Sequence, residues 1–293
     1  MKVWIAYITV ALVWGSTFFA IALGITSFTP FGMTSFRFLG AGLLALAVSR
    51  LNGEPLPLRR DLPHLMLQGV LQLTLSNTLV TWAEGSVSSG VTAVLCATSP
   101  LFYAVMGRES LGPRGWAGLL VGLGGVGVLA LAGAGTQTVS LWGFAAVMVA
   151  TYLWAQGTLH GRRHVRGQGL MGQVGVQMLT GGALSMALVP FAGGFLRAPL
   201  TWKAGLAVAY LAVFGSLVAY SAFIYISRAW APSRMSTYVY INPVVAVLLG
   251  CFLLREPLNL TMVLAMAVIM AGVALLQLPR RVQPEKTCAC ASE

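Results

Sequence analysis

Backbone N–H and C=O groups cannot stay unpaired in hydrocarbon, so a chain that writes run after run of about 20 apolar residues is held to one architecture, the membrane-spanning helix. Such runs fall at about 3–25, 32–49, 64–82, 89–106, 116–133, 141–159, 170–190, 204–227, 236–254 and 260–278. They are continuous blocks, which excludes a β-barrel, whose strands are about ten residues of alternating polarity. Because 57% of the residues are hydrophobic and only 9% charged, with a mean hydropathy of +0.82, little is left for a soluble domain. The longest polar stretches are 50–63, 160–169 and the tail from Arg280. The expected fold is an all-α polytopic membrane protein of ten transmembrane helices.

The positive charge is distributed by side. If the runs alternate in direction, Lys2, Arg50, Arg59, Arg60, Arg108, Arg114, Arg162, Arg163, Arg166, Arg228, Arg234, Arg280, Arg281 and Lys286 share one face of the membrane. Arg197, Lys203 and Arg255 fall on the other, and Arg37 lies inside the second run. Cytoplasmic loops retain Lys and Arg, so both termini are expected in the cytoplasm. This asymmetry accounts for the net charge of +11 and the pI of 10.1 without nucleic-acid binding. Lys2, the first apolar run and Ala20-Ile21-Ala22 imitate a secretory signal peptide. An internal repeat argues for retaining that segment.

SPLFYAVMGRESLG (99–112) and NPVVAVLLGCFLLREPLN (242–259) share an outline: a small polar residue and Pro, an apolar run, then Arg-Glu-x-Leu. Aligning them at an offset of 143 places Trp82 on Tyr225, Asn77 on Tyr220 and Ala93 on Ser236. At an offset of 140, Trp14 falls on Trp154 and Arg37 on Gln177, with RFLGAGLLAL (37–46) set against QMLTGGALSM (177–186). The expected organisation is two halves, 1–135 and 136–279, each of five helices, with a tail at 280–293. Five is odd, so the second half is inverted in the membrane, the construction by which transporters expose a midplane site first to one side and then to the other. Pro100 and Pro243 then begin equivalent helices, and Glu109 and Glu256 punctuate helix ends without taking part in chemistry. The first copy is shorter by four residues between Pro and Glu, about one helical turn.

WGSTF (14–18), SFRFLGAGLLAL (35–46), SPL…RESL and NPV…REPL, in that order and duplicated, resemble the EamA branch of the drug/metabolite transporter superfamily over about 3–278. The resemblance implies a multi-pass transporter of the bacterial inner membrane exporting amino acids or other small metabolites. It further implies that runs 1, 3, 4, 6, 8 and 9 line a central cavity, that 2 and 7 gate it, and that 5 and 10 stand behind as supports.

Polar side chains are costly inside a bilayer, so those that persist are expected to face a cavity or another helix. Gln68, Gln72 and Ser76 recur at i, i+4 and i+8 on one helix face, with Asn77 beside them. Ser216 and Tyr220 repeat that spacing in the eighth run, and Ser236, Tyr238, Tyr240 and Asn242 stud the ninth. Either these residues form a cavity wall for a small-molecule substrate, or they bond helix to helix at about 0.6 kcal/mol per pair. Trp14 and Trp154 sit mid-run, whereas Trp4, Trp116, Trp142 and Trp202 lie at run ends as interfacial anchors. The expectation is that Trp14, with Thr17 one turn on, and Trp154 flank the substrate from opposite sides. Arg37 either grips a substrate carboxylate or pairs across an outer gate, unless it snorkels to the interface. Its neutral counterpart Gln177 gives the other gate a different electrostatic character.

Carboxylates are absent from the middle of every run, so coupling either uses Glu84 near the outer mouth or is weak or missing. No catalytic or metal motif appears, and no cofactor is expected. His64, His160 and His164 lie at loop edges, where they read with Arg162 and Arg163 as orientation determinants more readily than as metal ligands. Gly118, Gly122, Gly124, Gly125 and Gly127 precede no Gly-Lys-Ser/Thr and read as close helix packing. Cys288 and Cys290 alone rarely make a metal site, and no disulfide is expected on a reducing face. Lipid is the surrounding partner, and no obligate protein partner is evident. The competing functions are a passive channel or facilitator and a polytopic membrane enzyme.

Overall fold

The computed structural model describes residues 1–87, 89–109, 111–133, 140–167, 169–254 and 260–277. Arg255, Glu256, Ser110, the tail with Cys288 and Cys290, and the side chain of Cys251 lie outside the described residues. The chain opens with two long helices, α1 (Lys2–Gly24) and α2 (Pro30–Leu51). A sectioned helix comes third: α3 (Leu62–Gly69), a π-helical stretch Val70–Ser76, and α4 (Asn77–Ala83). Next come α5 (Ser89–Cys96), α6 (Ser99–Met106), α7 (Pro113–Gly133), α8 (Leu141–His164) and α9 (Leu170–Leu188). A second sectioned helix comprises α10 (Trp202–Tyr210), the π-helical stretch Leu211–Val218 and α11 (Ala219–Ala229). The short α12 (Pro232–Met235), α13 (Tyr238–Leu254) and α14 (Leu260–Gln277) complete the chain. Among the described residues the only β pairing is an isolated bridge between Phe28 and Leu196.

Among the described residues, five stretches are long and apolar enough to cross a membrane: Lys2–Gly24, Pro30–Leu51, Leu170–Ala192, Trp202–Ala229 and Leu260–Gln277. Several helix starts are written locally. Thr29, Ser140 and Thr201 each place a side-chain oxygen on the backbone N–H three residues on, capping α2, α8 and α10. The bundle is apolar outside as well as in: Leu43, Leu120, Leu206 and Leu264 stand exposed on helix flanks, as a lipid-facing surface requires. Trp4, Trp116, Trp142 and Trp202 are also exposed, whereas Trp14 is buried.

Two departures from the sequence reading share a cause. The run 89–106 is broken into α5 and α6, and Pro243 lies inside α13 instead of beginning it. A proline removes the N–H that would bond the carbonyl four residues back. At Pro100 that carbonyl belongs to Cys96, and the Ser99 hydroxyl donates to it at 2.6 Å. Before Pro243, the Asn242 amide, oriented by its neighbours, donates to Tyr238 O at 3.0 Å and to Ala11 O at 3.1 Å. Ser99 thus supplies a donor to the carbonyl that Pro100 leaves open, whereas Asn242 donates one residue short of Val239, the carbonyl that Pro243 leaves open, and ties α13 to α1 through Ala11 instead.

Three carboxylates, Glu54, Asp61 and Glu109, act as punctuation at loops and helix starts. Glu54 accepts from Met171 N at 2.8 Å at the start of α9, and Asp61 accepts from Gly167 N at 2.7 Å in the loop before it. Glu109 takes both the backbone N–H, at 2.9 Å, and the hydroxyl of Ser233, at the start of α12. These bonds gather the loops at one end of the bundle, where Arg162 donates to Trp230 O and Arg234 stacks over Trp230 at 4.3 Å. At the opposite end, Thr29 N donates to Phe195 O and Arg197 N to Ser27 O.

α2 packs along α9, and α7 along α14. Gly118 and Gly125 face α14 and Gly122 faces the Tyr240 ring on α13, while Gly124 and Gly127 meet nothing within 4 Å. A Cβ on Gly272 would overlap the backbone of Gly122, so the two helices touch main chain to main chain there. Gly272→Val should therefore cost about 1–3 kcal/mol or more through overpacking. The expected result is a lower unfolding temperature in detergent, with Gly124→Val close to wild type; equal temperatures for the two variants would contradict this packing.

Candidate functional site

A cavity of about 110 Å³ opens where α1, α2, the first π-helical stretch, α4, α8, the second π-helical stretch and α13 converge. π turns are wider than α turns and concentrate at functional sites, because the extra residue releases backbone and re-aims side chains. Here Ser76 ends the first π stretch and Gly215 and Ser216 lie in the second, and all three line the cavity. Trp14, Thr17, Asn77, Trp154, Tyr220, Tyr238 and Asn242 line it as well. Residues far apart in the chain are thus brought to one chamber.

Arg37 lies on the cavity wall and is only 5% exposed. Its Nε donates to Ser216 Oγ at 2.7 Å and its Nη1 to Asn77 Oδ1 at 3.3 Å. The side chain is held inward by two neutral acceptors and does not reach for the interface. Among the described residues no carboxylate lies within salt-bridge distance of it. A guanidinium carries five donors, so this one keeps donors for something in the cavity. A second donor is nearby: Trp154 Nε1 is buried and makes no hydrogen bond of ordinary length, with the Tyr103 and Tyr238 hydroxyls as its nearest polar company.

The two tryptophans do not face each other across a gap. Their rings meet edge to face, 5.3 Å apart at 81°, and Phe223 and Tyr238 pack on Trp14 at 5.2 and 5.1 Å. Edge-to-face contact satisfies both ring quadrupoles and closes the space between them. The pair is one continuous aromatic surface, fixed by the bond from Trp14 Nε1 to Gly215 O at 2.9 Å.

Gln72 is fully buried and lines neither the Arg37 cavity nor the polar cavity on its other side. It donates to Thr158 Oγ1 at 2.8 Å and Trp154 O at 3.2 Å, and accepts from Tyr220 OH at 2.8 Å and Gln68 Nε2 at 3.0 Å. That uses both donor hydrogens and both acceptor lone pairs of the amide. Gln177 extends the belt by donating to Gln68 Oε1 at 2.9 Å, and Tyr103 OH pairs with Thr158 Oγ1 at 2.9 Å. Below the belt is a second, polar cavity of about 160 Å³ lined by Gln68, Thr158, Arg162, Gln177, Ser227 and Arg228. Gln68, Gln72 and Ser76 therefore do not share a wall. Ser76 faces the first cavity, Gln68 the second, and Gln72 separates them.

Tyr240 is also displaced from the expected set: its hydroxyl donates to Leu119 O at 3.1 Å, packing α13 on α7. Thr151 lines the first cavity without any mark in the sequence, since a hydroxyl that bonds its own helix carries no periodic signal, and Ser99 lines it although the duplicated motif marks it only as the start of a helix. Glu84 lies outside the cavity lining, with both carboxyl oxygens buried and unpartnered among the described residues.

An all-helical bundle with apolar flanks and a largely aromatic, cation-bearing chamber inside is the make-up of a polytopic membrane transporter. The chain belongs to the EamA-like transporter family, whose model matches residues 1–131 and 141–278. It is 38% identical over 279 residues to the "Uncharacterized inner membrane transporter YedA" of Escherichia coli K12, covering 94% of this chain and 90% of that one. It is 29% identical to the "Probable terminal-alkyne amino-acid exporter" of Streptantibioticus cattleyicolor, covering 87% and 86%. A solved crystal structure matches with a TM-score of 0.75 at 21% identity, covering 93% of this chain and 95% of that chain, a likeness of fold alone.

Proposed function

We propose that the protein exports amino acids, or closely related small carboxylates with an apolar side chain, across the bacterial inner membrane by alternating access. The observation that carries this reading is Arg37, a desolvated cation without a counter-ion among the described residues, set in the wall of an otherwise aromatic and neutral cavity. Its free donors suit a carboxylate, Trp154 Nε1 a further acceptor, and the ring faces of Trp14 and Tyr238 an apolar side chain or an ammonium group. The substrate stands against one aromatic surface, with Thr17, Ser76, Asn77 and Asn242 as its polar surroundings.

The reading includes ten crossings in two inverted halves, 1–135 and 136–279, with both termini in the cytoplasm. Three observations support it. The family model matches the chain in two stretches, 1–131 and 141–278. The π-helical stretches Val70–Ser76 and Leu211–Val218 fall within a residue or two of the 143 offset. Arg37 and Gln177, paired by the repeat, lie at the two different cavities. In this arrangement the conformer is closed at the Gln72 belt, with the Arg37 cavity towards the outer face and the Arg162/Arg228 cavity towards the cytoplasm. A permanently open channel has no reason for a hydrogen-bonded belt across its path.

The test is counterflow in proteoliposomes loaded with unlabelled apolar amino acids and presented with labelled ones. Carrier behaviour predicts saturable, trans-stimulated uptake, reduced about tenfold or more in Trp154→Ala with normal membrane insertion. Linear, non-saturating flux would replace the carrier with a channel, and substrate turnover without a compartment would replace it with an enzyme.

A further inference from the structure

The chain has three histidines, and the fold brings all three together. His64 stands on α3; His160 and His164 are one turn apart on the last turns of α8, so they share a face. Each offers a ring nitrogen within 4.8 Å of the others. His64 Nδ1 and His160 Nε2 are 3.1 Å apart, and the His164 ring stacks on both neighbours, at 4.7 Å from His64 and 4.3 Å from His160. Two nitrogens bound at 2.0–2.1 Å to one tetrahedral ion lie about 3.3 Å apart, so the first pair is already near ligating separation. Small ring rotations bring in the third.

Two arginines share the last turn of α8 with His164, and neither turns its bonded nitrogen towards the cluster. Arg162 Nη1 is committed to Trp230 O at 2.7 Å and Arg163 Nη2 to Met106 O at 3.3 Å, so the bonded nitrogens reach for backbone carbonyls elsewhere. His164 Nδ1 sits 3.0 Å from the carbonyl of His160. That contact fixes the tautomer, with Nδ1–H donating and the Nε2 lone pair free, the arrangement found behind most metal-bound imidazoles. The cluster is half-buried at His64 and His160 and exposed at His164, which leaves an entry path and room for a water as fourth ligand.

We propose that His64, His160 and His164 form a binding site for a borderline divalent transition-metal ion of the zinc class. Three neutral imidazoles and an open position suit zinc, copper or nickel and do not suit magnesium or calcium, which take oxygen ligands. The site bridges α3, which carries Gln68, to α8, which carries Trp154 and Thr158. A bound ion therefore clips together the two helices joined by the Gln72 belt. The proposal stands on the geometry of the cluster and is independent of the transported substrate.

The experiment uses the full chain purified in detergent through an affinity tag without histidine, and titrates zinc against a chromophoric chelator and cobalt by visible absorption. Wild type should take one ion per chain, give the intense d–d bands of four-coordinate cobalt, and unfold at a higher temperature with zinc than with EDTA. His164→Ala, at an exposed position that does not threaten folding, should weaken zinc binding at least tenfold and abolish the thermal shift. His64→Ala should do the same, while Arg163→Gln binds as wild type. Undiminished binding in His164→Ala and His64→Ala, or no stoichiometric binding in wild type, overturns the site.

Discussion

Arg37→Met should reduce counterflow of a transported amino acid by about a hundredfold or more while leaving the protein folded in the membrane. The argument sets two free energies against each other. Hydrogen bonds to charged groups contribute about 1.5–3 kcal/mol each, and a guanidinium offers a carboxylate two in parallel. Losing about 3 kcal/mol of that interaction is a factor of roughly 10². On the stability side, an Arg in mid-membrane costs about 3 kcal/mol on insertion scales, a cost that Met removes. Leaving Ser216 Oγ and Asn77 Oδ1 without a donor costs about 1–3 kcal/mol for each group that finds no other partner. The two effects are of similar size and opposite sign, so the unfolding temperature should move little. Arg37→Lys keeps the charge but not the planar fork, and should fall between the two. The measurements are counterflow and thermal unfolding of the same preparations. A parallel collapse of both in Arg37→Met would make Arg37 a structural residue and remove the basis for a carboxylate substrate.

Gln72→Leu should separate turnover from binding. Its amide makes four bonds that tie the first π-helical stretch to Gln68, α8 and α11, and none of its atoms lines the cavity that holds Arg37. Removing it leaves the hydroxyl of Tyr220, the amide of Gln68 and the hydroxyl of Thr158 to find other partners in a buried place, at about 1–3 kcal/mol for each group left unmade. That penalty falls on the conformer in which the belt is closed, so the balance between conformers shifts away from it. The maximal counterflow rate should drop about tenfold or more, while affinity for the same amino acid, read by ligand-induced thermal stabilisation, stays within about threefold. If affinity falls in step with rate, Gln72 touches substrate and the belt is not a gate.

The wide turns that line the Arg37 cavity are not legible in the sequence. VLQLTLS and LAVFGSLV read as ordinary apolar helix, and whether such a stretch closes as α or π depends on what packs beside it. The Trp14 and Trp154 positions stand out because indoles away from the interface need a reason, yet nothing local says that their rings touch. For Gln68, Gln72 and Ser76 the helical spacing gives a common face, correctly for a regular helix. The π turn beginning at Val70 rotates the later residues of the helix, so that the three side chains end in two cavities and the wall between them. Gly118, Gly122 and Gly125 are distinguishable from Gly124 and Gly127 only once α13 and α14 are in place. His160 and His164 share a face by spacing alone, but His64 joins them from 96 residues away through the packing of α3 on α8.

By itself the sequence determined that this chain lives in a membrane as a set of apolar helices, with its positive charge gathered at particular loops and a duplicated Pro-bearing motif. Each of these is a requirement the bilayer places on one segment at a time, so each is written in local composition. Only the tertiary structure decided which polar groups share a chamber, which lock one helix to another, and which are left with unspent donors. A buried side chain bonds whatever neighbour the packing supplies, as Tyr220 meets Gln72 across 148 residues, and no window of the sequence contains both.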